Sequence, residues 1–387
     1  MRRICVVEPG ARGVSETFLA VQAEGLPAHV TIVYGQVPVV QDDSDRRRER
    51  AIRAIRRASR WVLRRSFDWE VTSAYVAAFR RSRAEAVLAQ YGPTGVRVLP
   101  ACRKTGLPLI VQFHGADATM RTMVDANRDG YQQLFSEAAA IVAGCRDIAD
   151  RLISLGASPA RVHVAPVGGV DPRQFALSDP ASAPPCFLAV GRFVDKKAPY
   201  LTVLAFAQVY RTYPEARLRM IGDGPLRGVC ADLARALGIE EAVTFLGEQD
   251  HNVVRKELSQ ARAFVQHSKQ AHSGDREGTA ISVLEGGAAG LPVVATRHAG
   301  ILESIVEGET GLLVDEGDVE GMAQHMARLA ADPALAQRMG RAARKRVEEH
   351  YSSEQCCGRL WSIIESCIEE HEVGRRRRNG SPSPTPQ

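Results

Sequence analysis

Along this chain, short runs of apolar and mostly β-branched residues alternate with longer stretches in which apolar positions recur every three to four residues. The short runs predict buried strands and the longer ones amphipathic helices. In the first half the strand candidates are residues 4–7, 30–34, 87–88, 109–113, 140–143 and 162–164. In the second half they are 186–190, 218–221, 243–246, 263–265, 293–295 and 312–314, with helical spacing through 201–212, 227–237 and 353–370. Strands alternating with helices imply parallel sheets covered on both faces, and two such series imply two Rossmann-like α/β domains. The proline-rich stretch 178–185 separates the series. The expected organisation is a first domain over 1–177, a linker and hinge over 178–185, a second domain over 186–350, a closing helix over 351–373, and a basic, Ser- and Pro-rich tail over 374–387 expected to be disordered.

Composition narrows the classes. A chain of 387 residues is too long for one ordinary core. With 45% hydrophobic and 25% charged residues it is neither collagen-like nor disordered throughout. No apolar run approaches the ~18 residues of a spanning helix, and Glu8, Pro9 and Gly10 interrupt the place where an export leader needs its apolar core. The eight cysteines form no CxxC pairs and sit at no zinc-like spacing, so reduced thiols in a cytoplasmic protein are expected and no metal site is. The formal net charge of +5 is uneven: residues 1–180 carry +7 and the remainder −2. Residues 46–65 alone hold ten arginines and a single acid, Glu49.

Open parallel sheets bind ligands outside the carboxyl ends of their strands, which places the site in the cleft between the domains. No GxxxxGK[ST] loop is present. Gly222-Asp223-Gly224-Pro225 follows a strand and enters a helix, but the third glycine of a dinucleotide fingerprint comes one residue late, at Gly228, so a tight strand-to-helix turn is the simpler reading. More informative is the block 274–294, a polar loop, a helix expected to begin near Thr279, then Leu291-Pro292 and a strand. Glu277 falls at the strand's carboxyl end and near the helix N-terminus, where free N–H groups favour an anion such as a diphosphate. Glu285 follows eight residues later, about two helical turns on. Dipole complementation by Glu277 and solvation of Glu285 would account for the spacing equally well.

Glu277 and Glu285 reproduce the E-x7-E motif of retaining glycosyltransferases of the GT-B fold, and the surroundings resemble family 4, the glycosyl transferases group 1, over roughly residues 3–350. Gly13 to Phe18, His114-Gly115-Ala116-Asp117, Gly169-Val170-Asp171, Gly191-Arg192 with Lys197, Phe245-Leu246-Gly247, and Pro292 to Thr296 with Gly300 and Glu303 stand in the family's order. The resemblance implies two Rossmann-like domains facing each other across a cleft. It also implies that a sugar moves from a UDP- or GDP-sugar, with retention, onto a glycan or lipid-linked acceptor, without cofactor or metal. Arg192 and Lys197 would grip the diphosphate and stabilise charge on the leaving nucleotide. Glu277 and His114 would face the sugar, and Glu285 would hold the ribose. The backbone at Gly13, Gly191, Gly278, Thr279, Ala280 and Ile281 would cradle the donor.

The chain departs from the family at Gly286-Gly287, where alanine and methionine are common, at Leu302, and at Gln90-Tyr91-Gly92. Two glycines should cost the helix up to about 1 kcal/mol each. The block 275–296 resembles exopolysaccharide and colanic-acid-type enzymes most, which implies cell-surface polysaccharide or glycolipid assembly. Apolar residues at helical spacing among the arginines of 46–65 suggest contact with an anionic membrane surface at the inner face of the cell membrane, a solvated helical face being the plainer alternative. No reader motif accompanies that stretch, so no nucleic-acid partner is expected. Two alternatives remain: a GT-B enzyme acting on a soluble small acceptor, phosphorylase-like or a sugar-phosphate transferase, and a non-catalytic basic protein.

Overall fold

The computed structural model describes residues 1–10, 17–35, 38–40 and 67–378. Two parallel sheets form as the alternation predicts. Strands β1 (Arg3–Glu8), β2 (His29–Tyr34), β3 (Val39–Val40), β4 (Ala86–Gln90), β5 (Leu109–Phe113), β6 (Ala140–Ala143) and β7 (Val162–Val164) build the first sheet in the order β3-β2-β1-β4-β5-β6-β7. Only β3, a two-residue edge strand too short to show in the sequence pattern, runs antiparallel. Strands β8 (Cys186–Val190), β9 (Arg217–Ile221), β10 (Val243–Gly247), β11 (Ala263–Gln266), β12 (Val293–Thr296) and β13 (Gly311–Val314) build the second, all parallel, in the order β10-β9-β8-β11-β12-β13. In each sheet the strand order reverses beside the first strand, between β1 and β4 and between β8 and β11, leaving a crevice at the carboxyl ends.

The central strands are buried on both faces. Val87, Ala89, Val111 and Ile141 meet one helical layer of the first sheet, while Ile4, Val6, Leu88, Ile110 and Val142 meet the other. Helix Ser353–Arg378 belongs to that second layer although it follows the second domain, and its Leu360, Ile364, Cys367 and Ile368 complete the first domain's core. Arg2 clasps its far end by an ion pair to Glu372 at 2.6 Å. The helix takes in residues 374–378, which the sequence reading assigned to a tail, because that apolar face and the Arg2 clasp extend order beyond Glu370. Residues 379–387 lie outside the described residues.

The chain passes between domains at two adjacent places. Val170 N donates to Tyr351 O at 3.1 Å and Ser353 N donates to Val170 O at 2.8 Å, so the outgoing and returning segments lie side by side. The proline-rich stretch expected to act as the hinge is instead docked on the second domain. Ser178 Oγ donates to Ala261 O at 2.9 Å, and Arg262 Nε donates to Ala183 O at 3.1 Å. All eight cysteines are free, and burial raises their thiols. Among the described residues no helix is long and apolar enough to cross a membrane.

Candidate active site

At the carboxyl ends of β8–β11 the two domains enclose a cavity of about 390 Å³, lined by Gly191, Arg192, Lys197, Glu277, Thr279 and Glu285, with Phe18 from the first domain. It occupies the crevice where the second sheet's order reverses. Gly222 forms one wall in the left-handed region at φ 127, and a Cβ there would lie 2.0 Å from Gly191 O. This backbone contact explains the glycine turn without a dinucleotide.

One end of the cavity is cationic. Arg192 is exposed at the end of β8. The adjacent lysines then diverge around a single 3-10 turn, Asp195–Lys197. Lys197 Nζ stands 3.1 Å from Glu277 Oε1 at the cavity wall, whereas Lys196 Nζ is buried against Asp275 Oδ1 at 3.1 Å and Arg276 O at 3.3 Å. Asp195 adds Lys269 at 2.7 Å and the His272 N–H at 2.7 Å. These bonds fasten the loop after β11 to the turn after β8. Burial alone would raise the Glu277 carboxyl, but Lys197 and Lys196 hold it at about 2, so it is ionised. Burial pulls the Lys197 ammonium down and Glu277 opposes that shift.

The other end is set by helix Ile281–Ala288. It begins at Ile281, two residues from the start expected near Thr279, and as expected Glu277 stands in the preceding loop while Glu285 is helical. Burial pushes the Glu285 carboxyl up to about 7, with Arg255 and Lys197 opposing, and His251 Nδ1 is its nearest ionisable partner at 3.7 Å. Gly286 and Gly287 have a packing reason. A Cβ at Gly286 would lie 2.8 Å from Phe264 Cβ, and one at Gly287 would lie 2.9 Å from Val347 Cγ2. The helix can carry Glu285 into the cavity wall only by lying this close to β11.

The first domain contributes a prearranged edge. The Asp117 carboxylate accepts the N–H groups of Gly92, His114 and Gly115 at 2.9, 2.9 and 3.0 Å, joining the ends of β4 and β5. Burial still lifts Asp117 to about 6 against those bonds. His114 Nε2 meets Gln90 Oε1 at 2.8 Å, and Gln90 Nε2 donates to Gln22 Oε1 at 2.6 Å, so Nε2 of the imidazole carries the proton. Its ring packs on Tyr91 and Phe18, with centroids 4.3 and 5.5 Å away, and burial drops it to about 3, keeping it neutral.

The cleft is closed by direct contacts. A Cβ on Gly278 would lie 2.4 Å from His114 O, so the Glu277–Thr279 loop touches the first domain through bare backbone. Thr279 Oγ1 accepts from Val167 N at 3.0 Å and donates to Gly144 O at 3.1 Å. Arg276 pairs with Asp147 at 2.9 Å, and Glu303 Oε1 accepts the Arg146 N–H at 2.6 Å.

Of the residues singled out in the sequence, Gly191, Arg192, Lys197, Glu277, Thr279, Ile281 and Glu285 line one cavity. Gly278 and Ala280 are buried beside it, and His114 stands behind Phe18's contact with it. Gly13 and the arginine-rich 46–65 lie outside the described residues. The family resemblance implied that the segment after Leu246-Gly247 borders the base, and Glu248, Gln249 and His251 of that segment do line the cavity, but the sequence named none of them individually and did not single out Ser282, which also lines it. Only their place just after β10, or on the helix bearing Glu285, could have signalled them. Nor did it single out Asp117's capping role or the pairing of buried His298 with Glu316. Among the described residues no group of three or more His, Cys, Asp or Glu side chains is placed to hold a metal ion. The arrangement can bind a ligand that is anionic at the Arg192–Lys197 end and presents hydroxyls towards Glu277 and Glu285.

Comparison with known proteins agrees with this geometry. Residues 172–346 match the family described as glycosyl transferases group 1, and residues 10–168 match the glycosyl transferase 4-like domain. The colanic acid biosynthesis glycosyltransferase WcaL of Salmonella typhimurium is 28% identical over 289 residues, covering 73% of this chain and 71% of WcaL. The GDP-mannose-dependent alpha-(1-6)-phosphatidylinositol monomannoside mannosyltransferase of Mycolicibacterium smegmatis is 30% identical, covering 63% of this chain and 67% of that enzyme. Among solved structures, Anabaena Alr3699/HepE in complex with UDP superposes with a TM-score of 0.76 at 16% identity, over 95% of this chain and all of that one.

Proposed function

The chain belongs to the glycosyl transferases group 1 family and is a glycosyltransferase of the GT-B fold, and from that premise we propose that it transfers a sugar, with retention of configuration, from a UDP- or GDP-sugar to a glycan or lipid-linked acceptor in cell-surface polysaccharide or glycolipid assembly. One observation carries the donor reading: the Lys197–Glu277 ion pair and Arg192 stand at one end of a cavity whose other end is the buried Glu285. Cleaving a glycosyl–phosphate bond leaves negative charge on the departing diphosphate. Fixed cations in a cleft that excludes water stabilise that charge as it develops. In this reading Arg192 and Lys197 take the diphosphate, and Glu285 accepts the ribose hydroxyls. Glu277, held ionised by the lysines, orients sugar hydroxyls beside the reacting carbon. Its engagement with Lys197 makes it a poor covalent nucleophile, which favours attack by the acceptor on the face the nucleotide leaves.

The acceptor class rests on the relatives named for colanic acid and phosphatidylinositol mannoside assembly, and on the excess of arginine in the first half. Contact of 46–65 with an anionic membrane at the cytoplasmic face is part of the same proposal.

A panel of UDP- and GDP-sugars, assayed for transfer and for slow hydrolysis, tests the reading. Turnover of at least one of them is expected, with Lys197→Ala reducing it about 100-fold or more while the melting temperature changes little. No turnover of any donor, or equal turnover in parent and variant, contradicts it. Activity confined to soluble sugar phosphates would remove the lipid-linked acceptor.

A further inference from the structure

Glu277 is held at two levels. Its side chain meets Lys197, and its backbone N–H donates to His298 Nε2 at 3.1 Å. His298 follows β12, is fully buried, and its Nδ1 meets Glu316 Oε1 at 2.5 Å. The other oxygen of Glu316 accepts the Gln270 N–H at 2.9 Å. Because Nε2 must present a lone pair to Glu277, the imidazole proton sits on Nδ1 and is directed at Glu316. A His–Glu pair from the ends of β12 and β13, its imidazole buried and its carboxylate at the surface, therefore fastens both ends of the loop 270–277. Two members of that loop, Asp275 and Glu277, hold the lysines after β8.

We propose that His298, oriented by Glu316, is a positioning residue for transfer: it fixes the backbone of Glu277, and so the place of its carboxylate and of the cavity-lining Thr279 just beyond, without touching substrate itself. This rests on the donor-site reading above. The geometry gives the imidazole work that a space-filling side chain could not do. A carboxylate displaced by about 1 Å from the reacting sugar can lower the rate on the order of 100-fold, and the loop carries no other secondary structure to hold it there.

The side chains that could replace His298 differ in reach. Glutamine extends an oxygen to the position of Nε2 and can still accept the Glu277 N–H. Asparagine ends near Nδ1 and can meet only Glu316. With whichever of UDP-glucose, UDP-galactose, UDP-N-acetylglucosamine and GDP-mannose the parent turns over fastest, His298→Asn should lower kcat about 10- to 100-fold, and His298→Gln should restore most of it. Affinity for UDP or GDP alone, which lack the sugar, should change little in either variant. In the ligand-free parent, the imidazole ¹⁵N signals assigned by their loss in His298→Gln should report a proton on Nδ1 and none on Nε2. Equal losses in the two variants, an unchanged kcat in His298→Asn, or a proton on Nε2 would overturn the tether. A parent that neither binds UDP or GDP nor hydrolyses any of the four sugars would overturn the donor reading and with it the tether's part in transfer. The tautomer signal, read without ligand, distinguishes that failure from failure of the tether geometry.

Discussion

Glu277 and Glu285 share a motif but not an environment, and their charge states follow from that difference. Two lysines hold Glu277 at about 2, whereas Glu285, buried with no cation among the described residues in bonding range, is pushed up to about 7. Only an ionised Glu285 can accept from two ribose hydroxyls with both oxygens at once. Affinity for the donor nucleotide should therefore rise as pH increases through about 7, and Glu285→Gln should flatten that profile; calorimetric titrations between pH 6 and 8 with the nucleotide that binds the parent (conditions bracketing about 7) check it. The same shift has a stability consequence of opposite sense. A carboxyl whose pKa is raised on folding contributes stability that is complete below its ordinary value of 4.5 and is lost as pH rises through about 7, on the order of 3 kcal/mol. Glu285→Gln should melt above the parent at about pH 8 and no higher than the parent at about pH 5.

At the scale of elements, much was legible because the buried parallel strands are short and β-branched, and their positions in the sheets follow the apolar runs closely. What escaped had physical reasons. Strand β3 has two residues and pairs antiparallel at an edge. Helix Ser353–Arg378 runs past its apolar pattern because its end is fastened by Arg2, a contact spanning almost the whole chain. The motif residues were legible as types at fixed spacing, but the divergence of Lys196 from Lys197 depends on one 3-10 turn that no spacing reveals. His298 and Glu316 meet only because β12 and β13 are adjacent in the sheet. Gly286-Gly287, which helix propensity marks as unfavourable, is required by contact with Phe264 and Val347. Gly286→Ala should therefore destabilise the protein by about 1–2 kcal/mol despite alanine's better helix propensity, since overpacking typically costs about 1–3 kcal/mol. Urea denaturation of parent and variant measures this, and a stabilised variant would contradict the close approach of helix and strand.

At the scale of the whole molecule, the adjoining crossings near Val170 and Tyr351 form the natural pivot, and the contacts opposite them hold the cleft shut. Thr279 contributes two of those bonds, each worth about 0.5–1.5 kcal/mol net. Thr279→Val, close in shape, should shift the ligand-free protein towards an open form with a larger radius of gyration in solution scattering, and the donor nucleotide should restore the compact form. An unchanged radius would mean that Thr279 does not hold the domains together. Closure matters because the cationic end with Arg192 and Lys197 lies on the second domain while Phe18 and the Asp117-organised edge belong to the first, so only the closed form brings both sides of the cavity together. The central claim is that this cleft is a nucleotide-sugar donor site. Isothermal titration of UDP and GDP into the parent and into Glu285→Ala tests it most directly. The account predicts that one nucleotide binds the parent and that the variant loses most of that affinity while remaining folded; no binding of either nucleotide to the parent, or equal affinity in the variant, would contradict it.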